Sequence, residues 1–234
     1  MTFLILSQIL NGLGLGMLYA LVGVGLTLIL GVLNIPNFAH GVLYALGAYF
    51  AYSIAKMTGS FYFAIFLSPF LVVLVGFLLE SQGVRRLYQA HHDYQLLFLF
   101  ACALIIQEII IIIWGPIGFS LLPPPSLSGA LDLGILIYPK YRLVLICFAF
   151  FMIICLYLFL TKTNLGAILR AGIENRDMVK VLGINVNIVF LYTFGLGADL
   201  AGLAGALSAP IRGLTTSMGL DMLPICCVVF VIGG

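Results

Sequence analysis

The chain of 234 residues is strongly apolar: 63% of its residues are hydrophobic, 8% are charged, and the mean hydropathy is +1.24. Soluble domains typically carry about 25% charged residues, so this composition excludes a soluble globular domain and predicts an integral membrane protein. The net charge of +2 is too small and too dispersed to suggest a nucleic-acid partner.

Apolar runs long enough to cross a bilayer, which takes about 20 residues, recur along the chain. They lack the strict alternation of a membrane β-barrel. We therefore predict an all-α fold, a polytopic transmembrane helical bundle with a broken second span. The predicted spans are Phe3–Leu33, Pro36–Lys56, Phe61–Glu80, Gln95–Trp114, Tyr141–Leu160, Ile188–Leu207 and a last span that begins near Leu220.

Small residues repeat at helical spacing in the first span and in the sixth. Such stripes let membrane helices approach closely. Two interpretations stay open for them, packing within the chain and contact with another subunit. The first stripe is Gly12, Gly16 and Ala20, and the second is Gly197, Ala201, Gly205 and Ala209.

The second span opens with polar residues where an uninterrupted span would be apolar. Asn34, Asn37 and His40 cluster there with Pro36 and Gly41. Polar or irregular backbone at membrane depth is tolerated only against protein or a water-filled cavity, so we predict a break or re-entrant turn. Asn34 would cap the following helix, Pro36 would lie early in it, and its free N–H groups would attract a carboxylate. The alternative is a short interfacial loop in which His40 bonds a neighbouring carbonyl.

Two acidic residues lie inside predicted spans, Glu108 in the fourth and Asp199 in the sixth. Intramembrane carboxylates are costly and are candidate functional groups. Each either contacts a substrate ammonium, relays protons, or is hydrogen-bonded within the bundle. The five cysteines lack metal-ligand spacing, and we predict no metal site, no cofactor and no catalytic residue.

A charged amphipathic segment, Thr161–Asn187, lies between the fifth and sixth spans. We predict a helix from Leu165 to Leu182 that Asn164 caps and Gly183 ends in a left-handed conformation. A charge pair is predicted between Arg170 and Glu174. The helix is either a docking surface or a surface helix stabilised by its own charges. The whole segment Thr161–Asn187 holds six of the chain's eighteen charged residues, namely Lys162, Arg170, Glu174, Arg176, Asp177 and Lys180.

Basic residues fall in alternate loops, which orients the bundle. The positive-inside rule assigns the more basic set to the cytoplasm and thereby places the N-terminus outside. The cytoplasmic set is Arg85, Arg86, Lys162, Arg170, Arg176 and Lys180, and the external set is Lys56, Lys140, Arg142 and Arg212.

Several segments resemble, in the same order, the permease subunits of branched-chain amino acid ABC transporters. They are QILNGLGLGMLYALVGVGLTLILGVLNIPNFAHG, IIQEIIIIIWGP, LSGALDLG with YPKYRL, LGAILRAGIENRDMVKVLGINV and FGLGADLAGLAGAL, and together they cover most of the chain. The resemblance implies a multi-pass subunit of an ATP-driven importer in a bacterial plasma membrane. Its implied partners, besides membrane lipid, are a second, similar permease, a pair of cytoplasmic ABC ATPases and a periplasmic binding protein.

The resemblance also implies that the charged segment is a coupling helix that rests in a groove of the ATPase. Arg170 and Asp177 are then expected to make polar contacts, and Gly166 to allow close approach. The full implied set is Leu165, Gly166, Arg170, Ala171, Glu174, Asn175, Asp177 and Gly183. The implied mechanism is alternating access. From the polar break and the two intramembrane carboxylates we predict a substrate pathway that contains Asn34, Asn37, His40, Gly41, Glu108 and Asp199.

Two departures from the family pattern affect these expectations. Asp199 stands where a small or apolar residue is expected, and related permeases continue beyond Gly234, so we expect a single permease domain over residues 1–234 that lacks its C-terminal span or spans. The alternatives are a permease for urea, short amides or other amino acids, and a proton-coupled secondary transporter that uses Asp199 and Glu108. An enzyme is not expected, because neither H-E-x-x-H nor G-x-S-x-G is present.

Overall fold

The computed structural model describes residues 2–33, 37–88, 90–132, 137–174 and 176–233, and of residues 2, 3 and 176–178 the backbone alone. Helices dominate, and the two short strands pair as an antiparallel ribbon. The elements are α1 (Thr2–Leu33), α2 (His40–Thr58), α3 (Phe61–Gln82), a 3₁₀ turn (Val84–Leu87), α4 (His92–Trp114), β1 (Ala130–Asp132), β2 (Ile137–Pro139), α5 (Lys140–Lys162), α6 (Asn164–Glu174), α7 (Arg176–Val181), α8 (Val186–Arg212) and α9 (Met218–Gly233).

Within the described ranges, five segments are long and apolar enough to cross a membrane: α1, α3 with the 3₁₀ turn, α4, α5 and α8. This confirms the all-α, polytopic membrane fold. The other two predicted spans are α2, which is not among those five, and α9, which has 16 residues. α2 is nevertheless an uninterrupted helix of 19 residues that begins at His40, and most of its residues are buried.

Glycines allow the backbone of α2 to lie directly against its neighbours. A Cβ atom added at Gly47 would overlap the carbonyl of Gly202 in α8, and one added at Gly41 would overlap the carbonyl of Gly219 in α9. Since membrane helices associate through close van der Waals packing rather than a hydrophobic drive, these contacts hold α2 in the centre of the bundle.

The two small-residue stripes are used differently. In α8, Gly197 packs on Gly25 and Ile29 of α1, and Gly205 packs on the backbone of Tyr44 in α2. In α1, a Cβ added at Gly12 or Gly16 would meet no other atom within 4 Å, and both residues are exposed. Packing within the chain therefore accounts for the α8 stripe and leaves Gly12 and Gly16 uncovered.

The loops divide between two ends of the bundle. At one end the ring of Tyr88, after the 3₁₀ turn, packs edge-on against Phe190 in the first turns of α8, with centroids 4.8 Å apart. At the other end Phe119 stacks on Tyr52 (4.9 Å), and its backbone pairs with that of Leu214. Arg85 and the α6–α7 segment thus share one end, and Arg212 lies at the opposite end, as the alternation of basic loops predicts.

Candidate functional site

Residues Asn37–His40, called here the polar turn, lead into α2, whose first residue is His40. The Asn37 side-chain oxygen accepts a hydrogen bond from the Ala39 N–H (3.1 Å), and the His40 N–H donates to the Asn37 carbonyl (3.0 Å). The His40 imidazole Nε2 donates to the Val22 carbonyl of α1 (3.0 Å). Because a carbonyl only accepts, this bond places the proton on Nε2. Asn37 and His40 are 1% and 0% exposed.

This turn lies deep in the bundle. Val22 precedes the end of α1 at Leu33 by eleven residues, which at 1.5 Å per residue is about 16 Å of helix. A Cβ at Gly25 would lie 3.2 Å from His40 Cε1, so His40 is beside this middle region of α1. α2 therefore begins beside the middle of α1 and not beside its end at Leu33, as a re-entrant break predicts.

The details of this break differ from the prediction. α2 begins at His40, four residues after Pro36, and its N-cap residue is Ala39, which makes no side-chain cap bond. The N-cap position of α2 is therefore occupied by Ala39 and not by the predicted Asn34. Asn34 and Pro36 themselves lie outside the described residues. The bond from His40 to a neighbouring carbonyl, which the alternative interpretation predicted, is present in the same turn.

Two buried polar atoms in this turn have no partner among the described residues, Asn37 Nδ2 and His40 Nδ1. Buried polar atoms are usually hydrogen-bonded, and an unpaired one costs free energy. With its proton on Nε2, His40 offers Nδ1 as an acceptor, and Asn37 offers Nδ2 as a donor. The turn thus has one spare donor and one spare acceptor. Gly41, by contrast, is occupied in the close contact with Gly219.

The two intramembrane carboxylates lie in different surroundings. Asp199 is half-buried in α8, two residues after Gly197, whose carbonyl packs on Gly25 next to His40. Asp199 therefore lies near the depth of the polar turn. Glu108 is exposed on α4. Neither residue forms an ion pair within the described part of the chain, and no cluster of possible metal ligands occurs in the residues searched there.

The segment between α5 and α8 contains two consecutive helices, α6 and α7; residues 163–185 are called here the coupling hairpin, after the role that the family resemblance implies. Its first helix is capped by Thr163 rather than Asn164, because the Thr163 hydroxyl accepts from the Gly166 N–H (3.0 Å). Asn164 is already the first helical residue. As predicted, Gly183 follows the end of α7 in a left-handed conformation, with a φ of +78°, and its N–H donates to the Lys180 carbonyl.

One face of α6 is fixed to the bundle. Gly166 is buried, and an added Cβ would overlap the carbonyls of Phe159 and Leu160 at the end of α5. A Cβ atom added at Gly172 would contact Val189 of α8. One added at Gly31 of α1 would lie 3.6 Å from the Ile173 side chain. The close approach at Gly166 is thus made to the chain's own α5, which corrects the expectation that a partner would occupy that position.

The other face of the coupling hairpin is open. Arg170, Glu174 and Leu165 are exposed and Ala171 is half-buried. The predicted ion pair between Arg170 and Glu174 is not formed among the described residues, so the pairing prediction is wrong. Asn175 and the side chain of Asp177 lie outside the described residues. At the end of α7 the apolar residues Val181 and Leu182 are 81% and 73% exposed.

A buried acidic residue at this end was missed by the sequence analysis. Glu80 is 0% exposed and binds the Arg85 guanidinium (Oε2–Nη2 2.9 Å) and the Tyr88 hydroxyl. The Tyr88 ring packs on Phe190 of α8, so this cluster joins the 3₁₀ turn to the base of the coupling hairpin. The available signal was an acid at the end of an apolar span, five residues before an arginine.

Apolar helices that cross a membrane repeatedly, a polar turn buried among them and a charged hairpin at one end define a multi-pass membrane transport protein. The sequence model of a family described as "Branched-chain amino acid transport system / permease component" matches residues 8–234. The chain belongs to this family of transport permeases, whose members are not enzymes.

Curated relatives agree with the family assignment. The BraD permease protein of a high-affinity branched-chain amino acid transport system of Pseudomonas aeruginosa is 28% identical, over 86% of this chain and 70% of its own length. The LivH permease of Escherichia coli is 26% identical, over 89% and 72%. The LivM permease of Escherichia coli is 25% identical, over 86% and 52%. No solved structure matches the chain.

Proposed function

We propose that this chain is the membrane permease of an ATP-driven importer for branched-chain or related amino acids in a bacterial plasma membrane. Its partners would be a second permease, a pair of ABC ATPases and a substrate-binding protein. The observation that carries the proposal is the coupling hairpin, which is held to three helices on one face and has the exposed residues Leu165, Arg170 and Glu174 on the other.

The attachments of the hairpin suggest how ATPase movement reaches the bundle. Ile173 packs at Gly31 of α1, and Val22 of the same helix holds His40 through its carbonyl. The nine residues between Gly31 and Val22 span about 14 Å of continuous helix. A rigid displacement of the hairpin would therefore shift α1 against the polar turn, as alternating access by rigid-body motion requires. The ATPase contact would involve Arg170 first, with Leu165, Ala171, Glu174, Asn175, Asp177 and the Gly183 turn.

The substrate pathway in this proposal passes the polar turn. Asn37 Nδ2 and His40 Nδ1 are polar atoms with no partner in the described chain, and Asp199 lies near the same depth. Asn34 precedes them in sequence, and Gly41 fixes the turn against α9. Glu108, exposed on α4, would lie at the edge of this pathway.

The ATPase contact is tested with Arg170→Glu in the assembled transporter. We expect ATP hydrolysis to become uncoupled from amino-acid uptake, with uptake reduced about tenfold or more, since charged anchors at interfaces often carry this much. Insertion and melting temperature should not change, because Arg170 is exposed and has no ion-pair partner in the described chain. Arg86→Glu, an exposed arginine at the same end but outside the hairpin, is the matched control. Normal coupled uptake by Arg170→Glu removes the docking hypothesis.

The pathway is tested with Asn37→Leu and His40→Leu. Both should impair uptake while the ATPase still co-purifies with the permease. The matched control is Ser68→Ala in α3, since the Ser68 hydroxyl is also buried without a partner in the described chain. If the polar atoms were merely tolerated, all three variants would transport alike, and the pathway assignment would be abandoned.

A further inference from the structure

A second polar site lies at the end of the bundle opposite the coupling hairpin. It is a pocket of about 160 Å³ between α2, the end of α8 and the start of α9. One water occupies about 30 Å³ of the liquid, so the space holds a small polar molecule. We call it the outer pocket. Its lining residues are Tyr44, Arg212, Gly213, Thr215, Met218 and Asp221.

The outer pocket carries one positive and one negative side chain that do not neutralise each other. No ion pair joins Arg212 to Asp221 within the described ranges. The Arg212 guanidinium lies near the Tyr19 ring (5.9 Å to the centroid), and the Asp221 carboxylate accepts a hydrogen bond from the Ser217 hydroxyl (2.9 Å). Each charge is therefore oriented by a neighbour of its own and stays available to a ligand.

A buried hydroxyl forms the inner wall. Tyr44 is 1% exposed, its hydroxyl donates to Ser208 (2.6 Å), and the Arg212 guanidinium lies beside the same hydroxyl. Tyr44 is held in place because Gly205 allows α8 to pack on its backbone. The wall is thus rigid and polar, and the two charges flank it.

We propose that the outer pocket is an entry subsite for the zwitterionic head of an α-amino acid. Arg212 binds the carboxylate, for which a planar guanidinium is suited, and Asp221 binds the ammonium. This inference rests on the proposed function, in which amino acids enter at this end and leave past the hairpin. It is a recognition site for the head group, which all α-amino acids share, and not for the side chain.

The test is equilibrium binding of radiolabelled L-leucine to the purified full chain in detergent, with competition by unlabelled compounds. Leucinamide lacks the carboxylate and 4-methylpentanoate lacks the ammonium, while both keep the side chain. We expect L-leucine to compete and each truncated compound to compete about tenfold or more weakly, since a hydrogen-bonded charge contributes about 1.5–3 kcal/mol. Equal competition by either compound, or no binding of L-leucine, overturns the proposal.

Variants locate the binding on the chain. Arg212→Gln and Asp221→Asn should each weaken L-leucine binding about tenfold or more, and Lys56→Gln, an exposed cation at the same end, should not. The double exchange Arg212→Asp with Asp221→Arg should restore part of the binding, because it keeps both charges. Unchanged affinity of Arg212→Gln would overturn the assignment.

The failure of this inference is separable from the failure of the proposed function. If uptake is driven by ATP but L-leucine binding does not depend on the two charges, the importer proposal is kept and the subsite proposal is rejected. If L-leucine binding depends on both charges but uptake does not require ATP, the subsite is kept and the ATP-driven importer is rejected.

Discussion

The stripe of small residues in α1 and the stripe in α8 read alike in the sequence and differ in the folded chain. Gly205 and Gly197 of α8 have backbone atoms of α2 and α1 where a side chain would begin, whereas Gly12 and Gly16 of α1 have nothing within 4 Å. The comparison teaches that spacing identifies a surface on which backbones approach closely. It does not identify the partner helix. The α8 stripe packs on helices of the same chain, whereas Gly12 and Gly16 contact none of the described helices.

The largest effect in this comparison is expected for Gly205→Val. The first atom of the new side chain would overlap the Tyr44 carbonyl, and backbone cannot move aside as a flexible side chain can. We expect α2 to separate from α8 and the protein to misfold. The measurement is the amount of monodisperse protein recovered after detergent solubilisation and size-exclusion chromatography. A monodisperse, folded Gly205→Val protein would show that this contact does not hold the bundle together.

A smaller effect is expected for Gly197→Ala. Its new methyl group would lie 2.8 Å from the Gly25 carbonyl and close to the end of the Ile29 side chain. Ile29 can adjust while the carbonyl has to shift, so the loss should be about 1–3 kcal/mol, the usual range for overpacking. The measurement is the melting temperature in detergent, which should fall clearly but leave a cooperative transition.

The open stripe predicts a different outcome for Gly16→Leu. The melting temperature of the isolated chain should match that of the wild type, because Gly16 is exposed and a Cβ atom added there meets no described atom within 4 Å. In the proposed transporter the same change should reduce recovery of the second permease in a pull-down. Full recovery of that subunit would indicate that the α1 stripe faces lipid. Contact with another subunit would then not explain the α1 stripe.

The smallest effect is expected for Gly12→Ala. Gly12 is exposed and helical, and alanine is the better helix former by up to about 1 kcal/mol, so stability should stay equal or rise slightly. The measurement compares the melting temperatures of Gly12→Ala and Gly197→Ala, which add the same methyl group to the α1 stripe and to the α8 stripe. Equal destabilisation of the two variants would contradict the contrast between the stripes.

Much of the fold and part of the candidate site could be predicted because they follow from local rules. Run length and hydropathy gave five of the helices within a few residues, for example Phe61–Gln82 where Phe61–Glu80 was predicted. The left-handed end at Gly183 followed from glycine's freedom of φ. The capping of α6 was missed by one residue, since Thr163 and Asn164 are both good caps and only the contact with α5 selects between them.

The remainder depends on contacts between residues far apart in sequence. Polar residues near Asn37 predicted a break, but its depth is fixed by the bond from His40 to Val22, eighteen positions earlier. Arg212 was read as an external loop charge, and only the approach of α9 brings Asp221 to the same pocket. The Arg170–Glu174 pair had suitable spacing, yet the side chains remain apart, which is usual where solvent weakens the attraction.

The sequence by itself determined that this is an all-α membrane permease, because hydropathy and ordered motifs are properties of the chain. Tertiary structure alone decided which glycines are covered, how deep the polar turn lies and which charges share a pocket. The physical reason is that an apolar span is favourable in lipid whatever its neighbours, whereas close packing and polar contacts exist only when a second helix is at the right distance.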